Sequence, residues 1–322
     1  MASFNSIDVV VIYDVYHDES DEDAYWHAFL FVPRTTARTE LLKLLKASRV
    51  HTGYKYPKKL HFKEISGDPM RIGRKSRAHC AECWTTIGLA SLQQQGIRSG
   101  VTQIYLGEVK LYNGPVLYRS MDKFSAYPRC KLAIFKERDN LRQMNPSYYN
   151  DDLDKVETTF TMGLKGALHY LFPSDEQVRV GKIFLDGDEH NLIKHKRGFD
   201  CQKVERKLRQ GLRENIVFED GFGIQVDTHD RDDLELLQLT DIMLGGVRFQ
   251  TICPKPAHMK HKVSACLVRT LLDPSKRILK RHKNSRLYRG MDLSEAWLDG
   301  GEWQFDWLVP AQVSVDRTVS MF

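Results

Sequence analysis

Three aspartates, far apart in the chain, are the residues best placed to do chemistry together. Asp18 closes the apolar run "VVVIYDVYHD", Asp186 closes "KIFLD", and Asp241 lies inside "LLQLTDIMLGGV". Each has an ordinary reading of its own: a hairpin-turn Asp, a strand-end Asp starting the turn "DGDEH", and a solvent-facing Asp on an amphipathic helix. Together they imply more. Acids on a first strand, at the end of a later strand and on a late helix meet at one edge of an α/β sheet, where such folds open a crevice. Clustered carboxylates repel one another unless a cation lies between them. Oxygen ligands select hard cations, so the expected cofactor is Mg2+ or Mn2+. Ions held in this way activate a water and stabilise the leaving oxygen of a phosphodiester.

Asp241 is the most informative of the three. Its helix is apolar, and Gln238, Asp241 and Gly245 fall at i, i+3 and i+7 on one face. A charge there is costly to bury without a partner. Gly245 and Gly246 are read as permitting close approach of another backbone. Asp188 adds a candidate metal ligand, and Asp14 is either a supporting acid on the face of Asp18 or a strand-internal ion pair.

The elements that must carry these residues follow from periodicity. Residues 8–18 and 24–33 read as a β-hairpin around "DESDED", of which Asp21, Glu22 and Asp23 read as the solvated turn. Helices are expected over 38–48, 73–95, 153–172, 193–212 and 231–250, the last with Asp232 and Asp233 in its first turn. Further strands are expected at 100–109 and 178–190, with one or two more within 215–230. The order implies a mixed five-stranded sheet flanked by helices. Residues 1–252 form its domain with a partly helical insertion at 110–154, and 253–322 form a basic C-terminal extension packed on the core.

Composition narrows the partners. Apolar residues make up 42% and charged residues 28% of the chain, as in ordinary globular proteins. No apolar run approaches the ~20 residues of a membrane span, and "MASFNSIDVVV" lacks the pattern of a signal peptide, so a cytoplasmic protein without membrane contact is expected. Six scattered cysteines suggest no disulfide framework; "AHCAEC" is a zinc-like fragment without a second CxxC. The net charge is +6, and residues 253–290 hold eleven Lys or Arg against one acid, Asp273. That segment reads as a solvated helix face or as a phosphate-contacting patch, in which Lys276, Arg277, Lys280, Arg281 and Lys283 are the densest cations. No P-loop, GxSxG or GxGxxG supports nucleotide or serine hydrolysis.

"HDES" after a strand, "LHFKEI" before a long helix, "IFLD" on a later strand and "LLQLTDIMLGGV" on a late helix resemble the DUF3800 family. The resemblance spans residues 8–252, with 110–154 poorly matched, and implies a ribonuclease H-like fold with the acids as its metal site. It carries Asp18, Glu19, Asp186 and Asp241 over as site acids. The sequence departs from the family where Asp21 follows "DES" in place of Gly, and where Lys59 stands in place of Glu. Glu64 is the substitute candidate for that fourth acid, and His61 and Lys63 become candidates for phosphate contact or proton transfer. The expectation is therefore a divalent-metal-dependent nuclease acting on DNA or RNA. The alternative is an inactive ribonuclease H-like module that binds nucleic acid or serves as a scaffold. Family context adds a further option, an effector subunit of bacterial antiviral defence acting with a protein partner or as a homo-oligomer.

Overall fold

The computed structural model describes residues 10–21, 23–65, 75–92, 129–139, 149–186, 198–252, 259–272 and 290–308. It begins with the hairpin that the sequence predicts. β1 (Val11–Asp21) runs antiparallel to β2 (Tyr25–Pro33), and their register pairs Glu19 with His27 and His17 with Phe29. β2, "YWHAFLFVP", is buried throughout, as a strand covered on both faces must be.

Helix α1 (Thr36–Thr52) follows. The Thr35 side chain accepts the Ala37 N–H at its start, and Gly53 ends it at φ 71°, a left-handed conformation that favours glycine. The 3-10 turn Phe62–Glu64 leads toward α2 (Lys75–Leu92). Next come β3 (Lys131–Glu137), α3 (Asp152–Leu171), β4 (Val178–Leu185), α4 (Cys201–Arg209), β5 (Ile216–Val226), α5 (Arg231–Ile252) and α6 (Met259–Leu272). Strands β6 (Met291–Asp299) and β7 (Glu302–Trp307) close the order. Asp151 and Asp200 cap α3 and α4, each accepting the N–H three residues on.

Among the described residues the sheet has seven strands in the order β5-β4-β1-β2-β3-β6-β7. β1 is parallel to β4 and β4 to β5, β2 is antiparallel to β3, β3 is parallel to β6, and β6 is antiparallel to β7. The five-stranded expectation is therefore corrected to seven. The added pair comes from the C-terminal segment, which joins the sheet through β3 instead of only lying on the core. β3 itself falls inside the stretch read as an insertion, and the strand expected at 100–109 lies outside the described residues. Long-range pairing decides which apolar runs join a sheet, and period-2 alternation does not report it.

Two cores line the two faces. Tyr16, Trp26, Leu30, Trp84 and Leu239 belong to the core beneath α1, α2, α5 and α6. Tyr13, Val15, Phe29, Phe160 and Ile183 belong to the core beneath α3 and α4. None of the described helices is long and apolar enough to cross a membrane.

Candidate functional site

Alternation along β1 divides the opening acid cluster between the two faces. Tyr16 stacks on Phe184 at 4.9 Å and donates to Asp233 of α5 at 2.7 Å, so Asp14, Tyr16 and Asp18 point toward α5. Tyr13, Val15, His17 and Glu19 point the other way, toward α3. The neighbours Asp18 and Glu19, both expected in one acid site, thus stand on opposite sides of the sheet.

Asp14 is resolved as structural. β4 bulges at Gly181–Lys182 opposite it, and its carboxylate accepts the Lys182 N–H at 2.8 Å. Arg34 holds the same carboxylate through two nitrogens at 2.8 and 2.7 Å, and Arg38 bridges it to Asp233. Of the hairpin-turn acids, Asp23 lies 3.6 Å from Arg248 of α5.

The parallel register of β1 and β4 pairs His17 with Leu185, both on the α3 face. Asp18 and Asp186 each follow that pair by one residue; Asp18 lies inside β1, Asp186 lies just past β4, and Asp186 lines the cleft beside His17 and Glu19. Asp241 lies on α5, the helix that covers the other face. Gln238, Asp241 and Gly245 do share one side, and their shared task is to seat residues 60–62. Gln238 Oε1 accepts the Leu60 N–H at 2.6 Å, and Asp241 Oδ2 accepts the Phe62 N–H at 2.7 Å, with His61 Nδ1 3.5 Å away. A side chain at Gly245 would overlap the Phe62 ring, and one at Gly246 would overlap Leu267. The two glycines therefore admit side chains, where the sequence suggested close approach of a backbone. Asp241 is neither merely solvent-facing nor uncommitted: one oxygen already serves the backbone of "LHF".

The remaining candidates fall as follows. Glu64 is 42% exposed and ion-paired with Arg77 at 3.0 Å. Lys63 is exposed beside it. Asp188, Lys276, Arg277, Lys280, Arg281 and Lys283 lie outside the described residues. In "AHCAEC", Cys80 is a core residue, and burial pushes its thiol up to about 11.

Among the described residues, the metal-capable group whose ligand atoms all lie within 4.8 Å of one another is His17, Glu19 and His27, on the α3 face. Asp18, Asp186 and Asp241 do not draw together that closely. His17 Nε2 is 2.9 Å from His27 Nδ1, and His27 Nε2 is 2.9 Å from Thr159 Oγ1. The Thr159 hydroxyl donates to Lys155 O at 2.8 Å, so the network assigns a proton to His27 Nε2 and a lone pair to His27 Nδ1. Tyr25 donates to Glu19 Oε2. Burial holds both imidazoles neutral, with His27 lowered to about 3 and His17 well below its ordinary value, where the neighbouring His27 adds to the effect. A small cleft beside them is lined by His17, Glu19, Phe160, Asp186 and Phe199. Reading every second residue of the hairpin, His17-x-Glu19 and Tyr25-x-His27, would have found this group in the sequence.

The ion pair of Glu137 and Lys155 flanks the cluster at 2.9 Å, next to Tyr25 in the sheet register. Burial outweighs the attraction of Lys155 and pushes the Glu137 carboxyl up from 4.5 to about 7. The folded state then holds a proton that the unfolded chain releases. This contribution to stability is complete below about pH 4.5 and is lost as the pH rises through about 7, a change of roughly 3 kcal/mol. Glu137→Gln should therefore gain about that much on the parent chain between pH 4 and pH 8, read from urea midpoints at each pH. A constant offset between the two proteins across that range would contradict it.

No family model matches this chain, and no curated protein or solved structure is significantly similar to it.

Proposed function

We infer that the protein is a divalent-metal-dependent nuclease built on a ribonuclease H-like domain. One observation carries this reading: parallel β1 and β4 bring Asp18 and Asp186, each one residue beyond the His17–Leu185 pair, toward the carboxyl end of the sheet, and the helix that bears Asp241 packs over β1. The order β3-β2-β1-β4-β5, with its directions, is the arrangement expected of a ribonuclease H-like sheet, and the "HDES" and "QLTD" segments fall on its first strand and its last helix before the C-terminal segment. It is therefore also what the DUF3800 resemblance implies.

In this reading Asp18, Asp186 and Asp241 are the acids that would hold Mg2+ or Mn2+, and they would have to close from the wider spacing seen here to share an ion. Such an ion would supply an activated water and would stabilise the departing oxygen. The chain's own residues set the geometry: Phe62 N–H fixes the Asp241 carboxylate, and His61 faces it at the rim. Lys63 and the basic 253–290 segment provide phosphate contacts.

A second reading, a nucleic-acid-binding module without turnover, is favoured by the commitment of Asp241 to the Phe62 backbone. Labelled single- and double-stranded DNA and RNA, incubated with purified protein in Mg2+, Mn2+ or chelator, separate the two. Metal-dependent cleavage is the expected result. Salt-sensitive binding with identical intact substrate in all three conditions would select the second reading.

A further inference from the structure

The geometry points to a second metal site, on the opposite face of the sheet from Asp18 and Asp241: His17, Glu19 and His27 bind one divalent transition-metal ion of the zinc type. Three observations carry it.

First, the donor set is right. Two imidazole nitrogens and one carboxylate oxygen lie within 4.8 Å of one another, and this nitrogen-rich combination suits Zn2+ and its neighbours better than Mg2+. Second, the spacing is close to that of a bound ion. Imidazole nitrogens 2.0–2.1 Å from a tetrahedral zinc lie about 3.3 Å apart. His17 Nε2 and His27 Nδ1 are 2.9 Å apart, so a few tenths of an ångström of opening admits the ion.

Third, the supporting contacts are those that metal ligands require. His27 Nε2–H is anchored on Thr159, so Nδ1 accepts from His17 Nε2–H, and an ion entering between the rings displaces that proton from His17 Nε2 to His17 Nδ1 or to solvent. Tyr25 donates to one Glu19 oxygen and so orients the carboxylate. The rings of Phe29 and Phe160 pack on His17 at 5.0 and 4.8 Å, giving the group an apolar surround. All three ligands come from one hairpin, and the supporting hydroxyls come from β2 and α3, so the site is built on regular elements.

Three protein ligands leave one position of a tetrahedral ion open. The adjoining cleft has about 10 Å³ of free room, enough for one water, and Asp186 on its wall is placed to accept that water's hydrogen bond. Asp186 is partly exposed, which gives the cleft a route to the surface. The three ligands take no part in the nuclease reading, although Asp186, which lines this cleft, is also one of that reading's acids.

The test is a titration of the full chain, stripped with chelator and held in excess Mg2+, with Zn2+ and with Co2+. One equivalent should bind. Co2+ should show intensified visible ligand-field bands, and Zn2+ should raise the melting temperature. Asp241→Asn should retain this site, His17→Gln and His27→Gln should lose the equivalent, and Thr159→Val should bind at least about tenfold more weakly. No stoichiometric uptake by the wild-type chain, or uptake undiminished in folded His17→Gln and His27→Gln, would overturn the site and leave only a hydrogen-bonded histidine pair. If both histidine variants fail to fold, wild-type stoichiometry and Thr159→Val decide, and an unchanged affinity in Thr159→Val overturns it equally.

Discussion

Asp18→Asn should lower metal-dependent cleavage on the order of 10³-fold, about 4 kcal/mol of transition-state stabilisation, while binding of nucleic acid persists. Asn keeps the shape of the side chain but removes the charge that would hold the cation. The fold should tolerate the change. Asp18 is buried, and Asn is close to isosteric with it, so the change neither opens a cavity nor overpacks the sheet. The expected signature is therefore specific: a folded protein, a smaller rise in melting temperature on adding Mn2+, intact salt-sensitive binding, and lost turnover. Cleavage that stayed within a few-fold of the parent would remove Asp18 from the metal site and with it the main support for the nuclease reading.

Arg49→Met should cost about 3–5 kcal/mol of stability, the scale for breaking a buried ion pair from one side. Arg49 is only 2% exposed and ties three parts of the α5 face together. Its Nε donates to Glu235 at 2.7 Å, and its Nη2 to Gln238 at 2.8 Å. Its Nη1 donates to Lys58 O at 3.0 Å, and the guanidinium lies over the Trp84 and Tyr54 rings at 4.8 and 5.6 Å. Methionine replaces much of the volume but leaves Glu235, fully buried, with its charge uncompensated. The double variant Arg49→Met/Glu235→Leu should recover a large part of the loss, since replacing both partners by apolar groups is often near neutral. Denaturant unfolding of the two variants checks both statements. Equal instability of single and double variants would place the cost in lost packing instead of in the orphaned charge. Because Gln238 also seats Leu60, the single variant should loosen residues 60–62 and with them the contact between Phe62 and Asp241.

How much of this was legible beforehand depends on the range of the signal. The hairpin, the long helices and the shared face of Gln238, Asp241 and Gly245 are local patterns, and the structure repeats them closely. The purpose of that face was not legible, because the docking of Leu60 and Phe62 onto it joins residues far apart in the chain. The split between Asp18 and Glu19 follows from strand alternation alone, yet the family-like "DES" triplet invited treating the two as one unit. His17 and His27 are hidden for a related reason. Each looks like an isolated core histidine until the hairpin register brings them together. The β6–β7 hairpin has a local mark in its Gly300–Gly301 turn, both residues at positive φ, whereas its pairing with β3 has none.

That last pairing bears on how the chain can be made. Leu132 on β3 finds its outer partner in Met291, so during synthesis the ribosome must add everything between them before that edge is covered. At ~5–20 residues per second this leaves β3 uncovered for on the order of ten to thirty seconds, with its backbone donors and acceptors unpaired on one side. A nascent chain in that interval holds the hairpin and the strands bearing both candidate sites, yet presents a template for pairing with a neighbour on the same message. Stop codons placed before Met291 would make this interval permanent, so truncated products should aggregate even though they retain every residue assigned to chemistry.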